Sequence, residues 1–146
     1  MMNNLNILID CSGSMKEWGK DELIKSFINL FHRYSNSLDF QNYKFNFYYW
    51  NEKVEKFDDN KYSLEGKSNL KALLVFLENN NDKNILLSDG NFEITIPLKQ
   101  KNYSLICVCI GSDSNPLTLK KLSSTNFAYS ADKILYALKN ICFGGV

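Results

Sequence analysis

Apolar and polar positions change period several times along the chain, and each change marks an element. Leu5 to Ile9 is a short apolar run that stops at Asp10, the pattern of a buried strand. In "DELIKSFINLFHRYSNS" the apolar residues Leu23, Ile24, Phe27, Ile28, Phe31 and Tyr34 recur at helical spacing, which predicts an amphipathic helix. "YKFNFYYW" then alternates Phe45, Phe47 and Tyr49 against Lys44 and Asn46, a strand pattern rich in aromatics. A break at Asn51-Glu52 leads into "KVEKF", which reads as a short antiparallel partner at the edge. Leu70, Leu73, Leu74 and Leu77 form one helix face that ends at an asparagine cluster. "NILLSDG" and "YSLICVCIG" are two further buried strands, the second apolar on both faces. Pro116 opens a short helix, "NFAYS" is a brief last strand, and Ala131 to Cys142 is a closing helix carrying Ile134, Leu138 and Ile141.

Strands that alternate with helices predict an α/β fold, a mostly parallel sheet with helices on both faces and one antiparallel edge strand. One link departs from this rhythm. Asp89 to Tyr103 must cross between two parallel strands, yet "GNFEITIPLKQKN" alternates Ile94, Ile96 and Leu98 and contains Pro97. A curtailed helix or an irregular extended crossover is expected there.

Composition narrows the classes. At 146 residues, 45% hydrophobic and 14% aromatic, the chain is expected to form one domain over 1–146 with a single packed core. Seventeen basic against sixteen acidic residues, with no clustered lysines, provide no electrostatic pull towards nucleic acid or anionic lipid. The start "MMNNLNILID" lacks a basic leader, and no stretch approaches the ~18 apolar residues of a membrane span, so a cytoplasmic protein is expected. Four cysteines suit a reducing compartment. Cys107 and Cys109 lie inside an apolar run, and with His32 the single histidine the spacing does not match a zinc site.

The chemistry gathers at strand ends. "ILIDCSGSM" finishes an apolar run in Asp10, Ser12 and Ser14, three oxygen-bearing side chains two residues apart. Asp89 ends a later strand, and Ser68 in "EGKSNL" precedes a helix. Ligands of an open parallel sheet bind beyond the carboxyl ends of its strands. If the strands ending in Asp10 and Asp89 are neighbours, five oxygen side chains share one rim. Such a set suits Mg²⁺, Mn²⁺ or Ca²⁺ and not zinc or copper. With only two acids it would leave the cation under-neutralised, to be completed by an anionic group from outside. Each residue also has an ordinary reading: Ser14 with Glu17 as a capping box for a helix from Met15, Ser68 as an N-cap, Asp89-Gly90 as a turn. Cys11 beside the site has no histidine near it in sequence to activate it. The aromatics of "FYYW" lack the basic groove a nucleic-acid platform needs. The glycines of the terminal "FGGV" read as a helix C-cap.

The pattern "DCSGSM" resembles the D-x-S-x-S element of the von Willebrand factor A domain, whose metal-ion-dependent adhesion site (MIDAS) lies at the top of such a sheet. "GKSNL" stands where that family has a threonine before its next helix, "LLSDG" resembles its acid-Gly strand end, and the order of elements is similar to the close of the chain. The resemblance implies a three-layer, Rossmann-like fold. It implies Ser12 and Ser14 as direct ligands of Mg²⁺, with Mn²⁺ or Ca²⁺ as alternatives. Asp10 and Asp89 would act mainly through water, Ser68 would supply a third hydroxyl, and a partner's Asp or Glu would take the open position. Ser68 in place of threonine keeps the hydroxyl but loses the methyl that restricts its rotamer.

Three functions follow as expectations. The first is a non-catalytic protein-binding module that captures a partner carboxylate; the resemblance suggests an assembly containing an ATPase, kinase or phosphatase, and no nucleic acid or membrane. The second is a metal-dependent phosphatase with Asp10 as nucleophile. It lacks the acid two residues on, where Ser12 stands, as well as an evident lysine partner. The third is a metal-free scaffold of the same fold.

Overall fold

The computed structural model describes residues 2–57, 62–98 and 100–144. Its elements run β1 (Asn3–Asp10), α1 (Lys20–Ser35), β2 (Tyr43–Trp50), β3 (Val54–Lys56), α2 (Leu70–Glu78), β4 (Lys83–Ser88), β5 (Ser104–Cys109), α3 (Pro116–Leu122), β6 (Ala128–Ser130) and α4 (Ile134–Phe143), with a 3₁₀ turn over Gly13–Lys16 between β1 and α1. The six strands form one sheet in the order β3-β2-β1-β4-β5-β6. Only the β2–β3 pair is antiparallel, at the edge, as the sequence pattern predicts.

Period-2 alternation along β1 sorts its side chains between two cores. Leu5, Ile7 and Ile9 join Ile24, Phe27, Ile28 and Phe31 of α1 and Ile134, Leu138 and Ile141 of α4 on one face. Leu8 joins Leu70, Leu73, Leu74 and Leu77 of α2 and Leu119 and Leu122 of α3 on the other. The irregular crossover contains no helix among its described residues. Instead Phe92, Ile94 and Leu98 lie against the second core, and Phe92 meets the buried Trp50 ring edge-on at 5.1 Å. An extended apolar strip thus covers sheet that a helix would otherwise cover. His32 is exposed on α1 and lies beside Phe47, with ring centroids 4.8 Å apart.

At the end of the sheet opposite the candidate site, a row of buried asparagines crosses three strands. Asn46 donates to Asn6 at 3.3 Å, Asn6 donates to Asn84 at 3.0 Å, and Asn84 donates to the Ser104 carbonyl at 3.0 Å. These residues are direct register partners on β2, β1 and β4, so the row fixes strand alignment. Gly144 caps α4, and the remaining two residues of the "FGGV" ending lie outside the described residues.

Candidate functional site

β1 and β4 flank the point where strand order reverses, the crevice in which sheets of this kind bind ligands. Ile9 pairs with Leu87, so Asp10 comes level with Ser88, and Asp89 is the next residue. Both carboxylates are completely buried. Asp10 Oδ1 accepts from the Ser12 N–H at 2.9 Å, and its Oδ2 accepts from the Ser88 hydroxyl at 2.6 Å. Burial pushes the Asp10 carboxyl up to about 6 against the opposing hydrogen bonds from Ser88 and Ser12, with the Asp89 charge adding to the rise. Among the described residues no cation pairs with it.

The Ser12 and Ser14 hydroxyls lie 3.3 Å apart. Neither hydroxyl caps a helix. Ser12 precedes the 3₁₀ turn without a side-chain cap bond, Ser14 lies inside that turn, and α1 starts only at Lys20 after Gly19. The capping-box reading of Ser14 and Glu17 therefore fails, because the chain leaves β1 in a 3₁₀ turn and bends again before α1. The N-cap of α2 is likewise Asn69, whose side chain accepts from Ala72 N–H at 3.2 Å, and not Ser68. Ser68 lies half-buried on a segment stitched to the same rim: Glu65 N–H donates to the Cys11 carbonyl at 3.0 Å and Gly13 N–H to the Gly66 carbonyl at 2.9 Å. The structure thus brings Asp10, Ser12, Ser14 and Asp89 into one hydrogen-bonded neighbourhood and places Ser68 on the adjoining loop.

Asp89 is held differently from Asp10. Its Oδ1 accepts from Asn91 N–H at 3.0 Å, and its Oδ2 accepts from the Lys20 ammonium at 2.9 Å. Burial raises its pKa, but Asn91 N–H, Lys20 and the Ser14 hydroxyl outweigh burial and hold the carboxyl below its ordinary value. The Lys20 side chain is also completely buried, and its Nζ donates further to Asp113 at 2.8 Å and to the Ser14 carbonyl at 3.1 Å. Burial opposes its charge, but Asp113 and Asp89 more than offset this and raise its pKa. The turn after Asp89 is closed by Gly90 at φ +71, where a Cβ would lie 2.4 Å from the Asn115 carbonyl oxygen.

Lys20, Ser88 and Asp113 were not among the residues that sequence reasoning singled out. Lys20 does carry a signal, since it continues the stripe of Ile24, Phe27, Ile28 and Phe31 one turn earlier and so must face inward. Ser88 and Asp113 carry no such signal. Cys11 is buried, and burial, then Asp10, pushes its thiol up to about 12, so the thiolate a nucleophile needs is scarce at neutral pH. A hollow of about 560 Å³ beside the rim is lined by Tyr49, Glu52, Tyr62, Glu65 and Gly66 and includes none of the five candidate ligands.

Among the described residues no group of three or more His, Cys, Asp or Glu side chains is placed to hold a metal ion. An ion bound here would rely on hydroxyls beside the acids. The donor set meets that demand: it is all oxygen, and it contains in Asp10 a buried carboxylate without a counter-cation, which a hard divalent ion fits.

By sequence, neither a family model nor a curated protein matches the chain. Solved structures do. A von Willebrand factor type A protein from Catenulispora acidiphila superposes with a TM-score of 0.65 at 17% identity over 96% of this chain and 42% of its own. Proximal thread matrix protein 1 from the mussel byssus, solved with zinc occupying its MIDAS motif, gives 0.65 at 15% identity over 96% of this chain and 44% of its own. The ArnB paralog VWA2 from Sulfolobus acidocaldarius gives 0.59 at 22% identity over 95% of this chain and 44% of its own. The chain thus spans less than half the length of the solved chains it matches. Strand order, the antiparallel edge and the superposed path of the backbone agree on one conclusion: this chain has the von Willebrand factor A fold.

Proposed function

We propose that the domain is a non-catalytic protein-binding module that uses a divalent cation, Mg²⁺ in the first instance, to capture an Asp or Glu side chain of a partner protein. Ser12 and Ser14 would hold the ion directly, Asp10 and Asp89 would act on it through water, and Ser68 would contribute from the adjoining loop. Bound there, the ion supplies a positive centre with an open position for an anionic oxygen. The observation that carries this reading is Asp10, a carboxylate buried beside a pair of hydroxyls and, among the described residues, without a paired cation. The mussel protein with zinc in its MIDAS motif supports metal binding on this fold. The absence of a helix long and apolar enough to cross a membrane, among the described residues, agrees with an intracellular setting, where the partner would be part of an assembly containing an ATPase, kinase or phosphatase.

Thermal unfolding with and without metal tests the reading. Mg²⁺ or Mn²⁺ at about a hundred times Kd is expected to raise Tm by on the order of 5–10 °C in the wild type. Ser12→Ala/Ser14→Ala should abolish that rise. An equal rise in both proteins would remove the hydroxyls from the site.

The phosphatase reading gains one feature, since Lys20 is a lysine close to the acids. It still lacks a free nucleophile. Both oxygens of Asp10 accept hydrogen bonds, and the position two residues on is the hydroxyl of Ser12.

A further inference from the structure

Buried lysines are rare, and those found are paired. Lys20 is paired with the wrong group for a plain metal site. Asp89 is one of only two acids in the candidate ligand set, and Lys20 already occupies one of its oxygens at 2.9 Å while Asn91 N–H occupies the other. The ammonium is not a surface group that swings aside. Its side chain is wholly buried, and the loop before α3 is packed against the stem: a Cβ on Gly111, itself at φ +94, would lie 2.9 Å from Lys20 Cε and 3.0 Å from its Cγ. A third anchor, the Ser14 carbonyl at 3.1 Å, belongs to the very turn that carries the two hydroxyls.

We propose that Lys20 is a built-in competitor of the metal, a tethered cation that holds Asp89 in the ion-free domain and sets how weakly the divalent ion binds. The inference rests on the metal-binding reading above and deepens it. Without metal, Lys20 neutralises Asp89 and keeps the rim assembled. When a divalent ion enters, the two cations share one carboxylate. With Asp89 reaching the ion through water, the two cations are ~6 Å apart, and at that separation, even with the dielectric of water, a divalent ion and an ammonium repel by the equivalent of about tenfold in affinity. Asp113, whose side chain is 36% exposed, draws the same ammonium away from Asp89 and so moderates the competition. The pair therefore acts in opposite senses on metal affinity. A partner carboxylate arriving at the open position would add the negative charge that Lys20 has offset, which makes ion and partner bind better together than either alone.

Direct Mn²⁺ titration, counting free ion by its electron paramagnetic resonance signal, tests this on the purified chain. Lys20→Gln, which keeps donors but not charge, should bind Mn²⁺ about tenfold more tightly than wild type. Lys20→Arg should not. Asp113→Asn, a change at a partly exposed group that spares the buried one, should bind it more weakly. Tighter binding in Lys20→Gln together with weaker binding in Asp113→Asn supports the proposal. Should Lys20→Gln fail to fold, weaker binding in Asp113→Asn supports it and unchanged or tighter binding overturns it. Weaker or unchanged Mn²⁺ binding in a folded Lys20→Gln overturns the competitor role and makes Lys20 a support for Asp89, leaving the metal site itself standing. No Mn²⁺ binding in any of the proteins, with Ser12→Ala/Ser14→Ala as the reference, overturns both the competitor and the metal-binding reading.

Discussion

Two carboxylates separated by a single strand spacing carry opposite perturbations. Asp10 is pushed up to about 6 because burial exceeds what hydrogen bonds from Ser88 and Ser12 return, whereas Asp89 is held low because Asn91, Lys20 and Ser14 outweigh the same burial. Burial acts on single residues elsewhere too, and Tyr103 offers a clean measurement far from the acids. Its hydroxyl donates to the Leu122 carbonyl at 2.7 Å, and burial, with Cys107 and Glu78 adding to it, pushes the phenol up to about 12. The folded state thus holds this proton more tightly than the unfolded chain, whose tyrosines titrate near ~10. Its contribution is complete below pH ~10 and is lost as pH rises towards 12, a change of about 3 kcal/mol. Urea unfolding of wild type and Tyr103→Phe across pH 9 to 11 should show a shallower decline in the variant, and parallel declines would contradict the assignment.

At the scale of elements, the sheet has an apolar middle and two polar ends that do different work. The asparagine row across β2, β1 and β4 leaves no room for slippage, because a one-residue shift would pair buried amides with apolar neighbours. Asn6 stands at its centre and bonds to both sides. Asn6→Ala would remove the donor to the Asn84 side-chain oxygen and one of the two acceptors of the Asn46 amide, and is expected to cost about 1–3 kcal/mol in urea unfolding; a loss under about 0.5 kcal/mol would show that the row is not an alignment device. The other end holds loops, not side-chain ladders. There the backbone bonds from Gly13 to Gly66 and from Glu65 to Cys11 tie the segment before α2 to the segment after β1, which is how residues some fifty positions apart come to share a rim. The alternation of the crossover, anomalous for a helix, is explained at this scale: Phe92, Ile94 and Leu98 supply an apolar cover without helical geometry.

For the molecule as a whole, a net charge of +1 gives no overall electrostatic attraction for a phosphate backbone. The proposed metal centre, completed by one carboxylate, would act locally instead. Capture of a partner from lysate on the immobilised domain is expected to need Mg²⁺, to be reversed by chelator, and to fail with Ser12→Ala/Ser14→Ala. Capture indifferent to chelator would point to the metal-free scaffold instead. The matched solved chains are more than twice as long as this one, and the likeness is one of fold.

Periodicity by itself determined most elements of this protein, because burial on one or two faces leaves its signature at spacings of two or of three to four residues. It also determined that Asp10 ends a strand and that Asp89 lies at the close of another, directly after Ser88, since each follows an apolar run. Only tertiary structure decided that β1 and β4 are neighbours, that Ser14 caps nothing, and that Asn69 rather than Ser68 starts α2, because strand order and loop path depend on contacts between distant segments. The same holds for Lys20. Its place on the inner stripe of α1 was legible one turn before Ile24, but its partners, Asp89 and Asp113, lie 69 and 93 residues away, and no local pattern encodes a pairing at that range.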